Sequence, residues 1–118
     1  MKLSIRSDTK LLNSNQRLHR MAEAELVKRW RTLGRLAARR YGPVPTPVRI
    51  IATFWKPRAG RYDPNNLWPT VKACVDGFVD AGLLADDDHK HVIGPDMRHG
   101  GKGEQRIEFT FEPMQKQT

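Results

Sequence analysis

The sequence has little of two things that often define a protein's class: cysteine and long apolar runs. Its single cysteine, Cys74, excludes an internal disulfide framework and any zinc site built from several cysteines. Its apolar runs are only a few residues long, whereas a membrane-spanning helix needs about 20 apolar residues. We therefore expect a protein that has no membrane partner.

The N-terminal segment also lacks the marks of secretion. MKLSIRSDTK has neither the apolar stretch nor the small-residue cleavage site of a signal peptide. Together with the lone cysteine, this favours a location in the reducing cytoplasm. The length of 118 residues predicts a single domain, 1–118, with one core of modest size.

What the sequence does have is a concentrated positive charge. Of the net charge of +8, all lies in residues 1–42, which hold 11 Lys and Arg against 3 Asp and Glu. The remaining 76 residues hold ten of each sign. A positive field of this kind favours a polyanionic partner, and nucleic acid is the usual one. The alternative is a solvated basic face that only keeps the protein in solution.

Periodic patterns predict an α+β fold, a small mixed β-sheet packed with two main helices. Apolar residues recur every three or four positions in the helical segments, and β-branched and aromatic residues alternate or cluster in the strands. The run VRIIATFW is apolar on both faces, which predicts a central strand. The predicted order is strand 3–6, helix 17–41, strand 48–55, helix 67–81 and strands 91–95 and 106–112, with a glycine-rich turn at 99–103.

Basic side chains recur at helical spacing along the first predicted helix and crowd the loop after the strand 48–55. On one face of a helix they form a stripe that can follow a phosphate backbone. The predicted nucleic-acid contacts are Arg17, Arg20, Lys28, Arg31, Arg35, Arg39, Lys56, Arg58 and Arg61.

Acidic residues gather around the second predicted helix. Asp63 precedes it, and Asp86, Asp87 and Asp88 follow it. If the two flanking strands are antiparallel neighbours, the end of one lies beside the start of the other and the acidic groups meet. Carboxylates forced together repel unless a cation lies between them, and hard oxygen ligands suit Mg²⁺. Such sites cut phosphodiesters by activating water, with Lys72 placed to neutralise charge on the phosphate.

Each of these residues also has a plainer interpretation. Three consecutive aspartates after a helix can form a solvated loop. Asp76 and Asp80 follow Lys72 at four-residue spacing, so the lysine can be only a surface ion-pair partner. His89 and His91 flank one lysine and can be exposed strand residues rather than metal ligands.

The order of the charged residues resembles the signature of RusA-type Holliday junction resolvases, which are small phage-derived endonucleases. Three motifs carry the resemblance: D-x-N-N-L, K-x-x-x-D and D-A-G-L-L-x-D-D. KPRAGRY, NSNQRLHR and HGGKGEQRIEFTFEPM are similar to the family's basic loop, N-terminal segment and last hairpin. The resemblance covers most of the chain, and its specific part is residues 61–88. The matching residues are Asp63, Asn66, Leu67, Lys72, Asp76, Gly82, Asp86 and Asp87.

The resemblance implies a RusA-like homodimer that needs Mg²⁺, or Mn²⁺ in its place. Such a dimer binds four-way DNA junctions and nicks two opposed strands symmetrically in DNA recombination and repair, in the cytoplasm of a bacterium or of a phage-infected host cell. By position, Asp63, Lys72 and Asp87 are the catalytic residues. The implied metal ligands are Asp63, Asn65, Asp86 and Asp87.

Two departures from the family pattern bear on the activity. Asn65 stands where the family has aspartate, and an amide oxygen can ligate Mg²⁺ without bringing a charge. Trp68, Pro69 and Thr70 look like an insertion before Lys72, close to one helical turn. Two alternatives are a non-catalytic branched-DNA-binding protein derived from a resolvase and a nuclease for other branched or single-stranded DNA.

Overall fold

The computed structural model describes residues 1–16, 18–58 and 60–114. Four strands form one mixed sheet in the order β1-β4-β2-β3, and two helices pack against it, so the predicted α+β class is confirmed. Neither helix in this part of the chain combines the length and hydrophobicity of a membrane span. The elements are β1 (Lys2–Arg6), α1 (Arg20–Ala38), β2 (Val48–Lys56), a 3₁₀ turn (Pro64–Leu67), α2 (Trp68–Asp80), β3 (Val92–Lys102) and β4 (Arg106–Pro113).

Alternation along β2 and β4 places the hydrophobic core on one face of the sheet. Because directly opposed residues of an antiparallel pair share a face, Phe109 of β4 lies beside Ala52 of β2 on the buried side. Phe78 of α2 packs edge-on against Phe109, with ring centroids 4.9 Å apart. Trp30 of α1 joins the same core. On the opposite side, here called the open face, the described side chains of β2 and β4 are half-buried or exposed.

The two helices cross at a pair of glycines. A Cβ on Gly77 would lie 2.6 Å from the backbone nitrogen of Arg35, and one on Gly34 would lie 2.9 Å from Cα of Cys74. Side chains at these two positions would therefore force the helices apart. The close approach explains why two residues of low helix propensity occur inside helices.

A buried threonine fixes the N-terminal segment to α2. The Thr70 hydroxyl oxygen accepts a hydrogen bond from the backbone N–H of Leu12 at 2.8 Å, and the same hydroxyl donates to the Leu12 carbonyl oxygen at 2.8 Å. The backbone N–H of Ser14 donates to the carbonyl oxygen of Asn66 at 2.8 Å. Thr70, one of the three residues that look like an insertion, therefore holds residues 12–14 beside the start of α2.

Two expectations about the sheet are wrong. The strands that flank α2 are not antiparallel neighbours, because β2 and β3 pair in parallel through a helical crossover. The predicted glycine turn at 99–103 is mostly strand, because β3 extends to Lys102 and only residues 103–105 connect it to β4. Gly100 serves instead as a point of close approach, since a Cβ there would lie 2.7 Å from Cδ2 of Trp55.

The helix boundaries also differ from those predicted. The first helix begins at Arg20 rather than at residue 17. His19 caps this start, because its Nδ1 accepts a hydrogen bond from the Met21 backbone N–H at 3.3 Å. It ends at Ala38, three residues before the predicted end. Arg17, one of the predicted nucleic-acid contacts, lies outside the described residues.

Candidate functional site

The charged residues on and after α2 meet at Lys72. Its Nζ lies 2.6 Å from Oδ2 of Asp87 and 3.0 Å from Oδ1 of Asp76. Asp76 is one helical turn further along the same face, whereas Asp87 is 15 residues away in sequence and arrives because the chain turns back after α2. The structure thus brings together residues from two of the three motifs.

Ion pairing at this cluster shifts the pKa values of Lys72 and Asp87. The hydrogen bond from Lys72 holds the pKa of Asp87 below its ordinary value, and the Asp87 carboxylate raises the pKa of Lys72. Both groups therefore stay charged at neutral pH. The side chain of Lys72 is 48 % exposed and that of Asp87 is 27 % exposed, so solvent screens the pair and it adds little to stability.

Lys72 and Asp87 line a cavity of about 320 Å³ between α2 and the start of β3. Trp68 and His89 complete its polar and aromatic wall, and Pro95 contributes an apolar part. Trp68 is 42 % exposed, so its ring is accessible for stacking against a nucleobase. In the sequence Trp68 looks like part of an insertion, and no pattern there predicts a role for it.

The other aspartates after α2 mainly shape the turn into β3. Oδ1 of Asp86 accepts the backbone N–H of Asp87 at 2.7 Å. Oδ1 of Asp88 accepts the backbone N–H of Lys90 at 3.0 Å and lies 2.6 Å from Nδ1 of His91, a contact that lowers the pKa of Asp88. Asp88 and His91 therefore stabilise this turn, and His91 is half-buried in the turn rather than exposed on a strand.

Asp63 and Asn65 lie just before the N-terminus of α2, at the 3₁₀ turn Pro64–Leu67. Oδ1 of Asp63 accepts the backbone N–H of Asn65 at 2.9 Å and so caps the 3₁₀ turn, and both side chains are exposed. Within the described ranges, no group of three or more His, Cys, Asp or Glu side chains is placed to hold a metal ion. The combined metal site of Asp63, Asn65, Asp86 and Asp87 stays a prediction.

Among the predicted nucleic-acid contacts on α1, Arg31 already has a partner. Its Nε and Nη2 lie 2.6 and 2.8 Å from the two carboxylate oxygens of Asp80 on α2. The pairing raises the pKa of Arg31 and lowers that of Asp80. Arg31 therefore joins the two helices, whereas the remaining basic side chains predicted on this helix are exposed: Arg20, Lys28, Arg35 and Arg39.

The basic loop after β2 is built on an aromatic base. Nζ of Lys56 lies 4.4 Å from the centroid of the Tyr62 ring, and that ring packs on His99 at 4.5 Å between centroids. Partial burial raises the pKa of Tyr62. Arg58 and Arg61 are exposed in the same loop, so the loop contains both cations and aromatic rings.

Comparison with protein-family models and with curated proteins adds no relative. No protein-family model matches the sequence. A search of curated proteins likewise gives no significant match. The likeness to RusA-type resolvases therefore depends on the motif residues themselves.

Proposed function

We propose that the protein is a Mg²⁺-dependent endodeoxyribonuclease of the RusA type, which resolves four-way DNA junctions by paired symmetric nicks. The observation that carries the proposal is the cluster at Lys72, whose Nζ lies 2.6 Å from Asp87 at the wall of a cavity. It joins two motifs that are 15 residues apart in sequence, in the combination that the family resemblance implies.

Lys72 would act on the phosphate. The carboxylates of Asp87 and Asp76 hold its Nζ in place, and the raised pKa keeps the amine protonated at neutral pH. A fixed ammonium group stabilises the negative charge that builds on phosphate oxygens during cleavage. Trp68 at the same cavity would stack against an adjoining base.

The implied ligand set fits the metal chemically. Asp63, Asn65, Asp86 and Asp87 offer only carboxylate and amide oxygens, which are the donors that Mg²⁺ and Mn²⁺ prefer. A bound ion would supply Lewis-acid stabilisation of the leaving oxygen and a more acidic water. The turn that Asp86 and Asp87 share keeps two of the four donors side by side.

Two copies would act on one junction. A twofold homodimer matches the approximate twofold symmetry of a four-way junction and would present one Lys72 cavity to each of two opposed strands. The exposed cations of α1 and of the basic loop would contact the arms through their phosphates. We expect this activity in the cytoplasm, where DNA recombination and repair take place.

A binding protein without catalysis is the second candidate, and the position of Asp63 favours it. The Asp63 carboxylate is already used to cap the 3₁₀ turn, and Asn65 brings no negative charge where the family has aspartate. Such a protein would bind junctions as tightly as a resolvase and leave them intact.

The test is cleavage of a synthetic four-way junction with Mg²⁺ or with EDTA. The unaltered protein should make paired nicks only with Mg²⁺, and Asp87→Asn should slow them on the order of 100-fold. Asp8→Asn removes a negative charge from an exposed residue outside the cluster and should cut normally. Undiminished cutting by Asp87→Asn would refute the assignment. Binding without cutting, followed by activity in Asn65→Asp, would establish the second candidate.

A further inference from the structure

Three cationic side chains surround Trp55 at one end of the open face. Arg6 of β1 is the register partner of Arg106 of β4, and Arg106 is the register partner of Trp55 of β2. Lys102, the last residue of β3, pairs with the residue after Trp55. All four line a cavity of about 260 Å³, together with Gly103 and Glu104.

The charges in this cavity are unbalanced. Like charges placed directly opposite in an antiparallel pair destabilise a sheet, and Arg6 faces Arg106 in this way. Within the part of the chain that the structure describes, no ion pair involves Arg6, Arg106 or Lys102. Among the described residues that line the cavity, Glu104 is the one acid, so two positive charges remain in excess.

Arg106 also carries an unsatisfied donor. Its Nε is buried and has no hydrogen-bond partner among the described residues. A buried donor without an acceptor costs free energy, so the guanidinium group of Arg106 is not fully satisfied by the residues around it. The excess positive charge in the lining favours an anion as the ligand of the cavity.

The cavity is held in a fixed shape. The guanidinium carbon of Arg106 lies 3.9 Å from the centroid of the Trp55 ring, an arrangement that orients the guanidinium group. Gly100 leaves no room for a Cβ beside the same ring. A site whose side chains are already ordered loses little conformational entropy when a ligand binds.

We propose that this cavity binds a phosphate group of the DNA backbone. Two guanidinium groups and an ammonium group are the donors that recognise phosphate, and the net charge of +8 favours a polyanion over a small acid. The proposal rests on the proposed function only in taking DNA as the partner. None of the four residues is among the nucleic-acid contacts predicted from the sequence.

The cavity lies away from the Lys72 cluster. Gly94 lines the Lys72 cavity, and Gly101 is the register partner of Trp55, seven residues further along β3. At about 3.3 Å per residue this is roughly 20 Å, or about six base-pair rises of DNA. The phosphate cavity would therefore hold an arm of the DNA while the Lys72 cavity takes the strand that is cut.

The experiment measures junction binding in EDTA by fluorescence anisotropy over a series of salt concentrations. Arg6→Gln and Lys102→Gln should each weaken binding about three- to tenfold, the range that one ordinary hydrogen bond contributes. Each should also lower the slope of log affinity against log salt by about one. Lys2→Gln is the matched control, because Lys2 lies on the same strand and face but pairs with Glu108 at 3.6 Å. It should bind like the unaltered protein.

If both variants match Lys2→Gln, the cavity is not a phosphate site, whatever the cleavage result. If the variants lose binding as predicted but the unaltered protein does not cut the junction, the phosphate site is supported and the nuclease proposal is rejected. No binding of the junction by the unaltered protein rejects both.

Discussion

At the scale of single residues, Lys72 can serve either stability or chemistry. Its ion pairs with Asp76 and Asp87 are substantially exposed, and exposed pairs contribute about 0–1 kcal/mol. A lysine that is held by two carboxylates yet adds little stability is well placed for another task. The two tasks can be separated because they predict different losses when Lys72 is replaced.

Replacing Lys72 by glutamine should raise the pKa of Asp87 towards the ordinary value for aspartate, because the hydrogen bond that lowers it is lost. A lowered folded-state pKa stabilises the protein above the unfolded-state value of about 3.9, and this contribution is lost as pH falls through the folded-state pKa. Lys72→Gln should therefore be less stable by under about 1 kcal/mol near pH 7, and the difference should disappear in stronger acid.

Carboxyl NMR titration and urea unfolding at several pH values measure these two effects. Lys90→Gln removes a nearby exposed lysine and should leave the titration of Asp87 unchanged. An identical Asp87 titration in the Lys72 variant would mean that the hydrogen bond does not form in solution. A large loss of junction cleavage alongside the small loss of stability would assign Lys72 to the chemistry.

At the scale of elements, the helix crossing depends on the two glycines of α1 and α2. Alanine at Gly34 or Gly77 gains about 1 kcal/mol in helix propensity but places a methyl group against the backbone of the other helix. Overpacking of this kind costs typically about 1–3 kcal/mol, and here the obstacle is backbone rather than a side chain that can move. We expect the steric cost to exceed the gain in helix propensity.

Gly34→Ala and Gly77→Ala should therefore lower the free energy of unfolding, measured by urea denaturation. Gly42→Ala is the control, because nothing lies within 4 Å of its added Cβ and its backbone angle φ is not in the positive region. Unchanged or increased stability in the two helix variants would show that the helices can separate slightly without cost.

Local sequence patterns predict elements better than they predict how the elements meet. In β4 apolar and polar residues alternate, and in α2 apolar residues recur at helical spacing, because one side of each element is buried. Such patterns can be read directly from the sequence. The direction of β3 relative to β2 depends on the crossover between them, which no pattern inside either strand records. Gly100 was misjudged because a glycine at a turn and one under an aromatic ring look the same in sequence.

At the candidate site, too, the sequence predicts some residues but not the contacts that depend on the path of the backbone. The resemblance implies one site of Asp63, Lys72 and Asp87, and the structure places Lys72 and Asp87 2.6 Å apart while the shared site with Asp63 stays a prediction. The sequence does not predict that Asp63 caps a 3₁₀ turn or that Thr70 anchors the segment at Leu12, because both depend on the local path of the backbone. The cavity beside Trp55 draws residues from four strands, and only the sheet register assembles them.

At the scale of the whole molecule, the positive charge is divided between structure and surface. Lys28 is exposed on α1, whereas Arg31, close to it on the same helix, is engaged by Asp80 of α2. The two residues look alike in sequence, but they should respond differently to substitution. Lys28→Gln should weaken DNA binding and leave thermal stability unchanged. Arg31→Gln should lower the melting temperature slightly, because the lost pair is bidentate but largely exposed.

Thermal unfolding and anisotropy at low and moderate salt measure this contrast. The loss in Lys28→Gln should shrink as salt rises, because counterions screen a phosphate contact. The opposite pattern, with stability lost in Lys28→Gln and only binding lost in Arg31→Gln, would contradict the pairing seen between the helices.

The proposed activity requires that Asp63 and Asp87, at the two ends of the motif region, share one divalent ion. The most direct measurement is paramagnetic broadening by Mn²⁺ in residue-resolved NMR spectra of the protein. The signals of both aspartates should broaden together at low Mn²⁺ and recover with excess Mg²⁺, and Asp87→Asn should abolish the broadening at Asp63 too. Broadening at only one of the two aspartates, or at neither, would contradict a shared site.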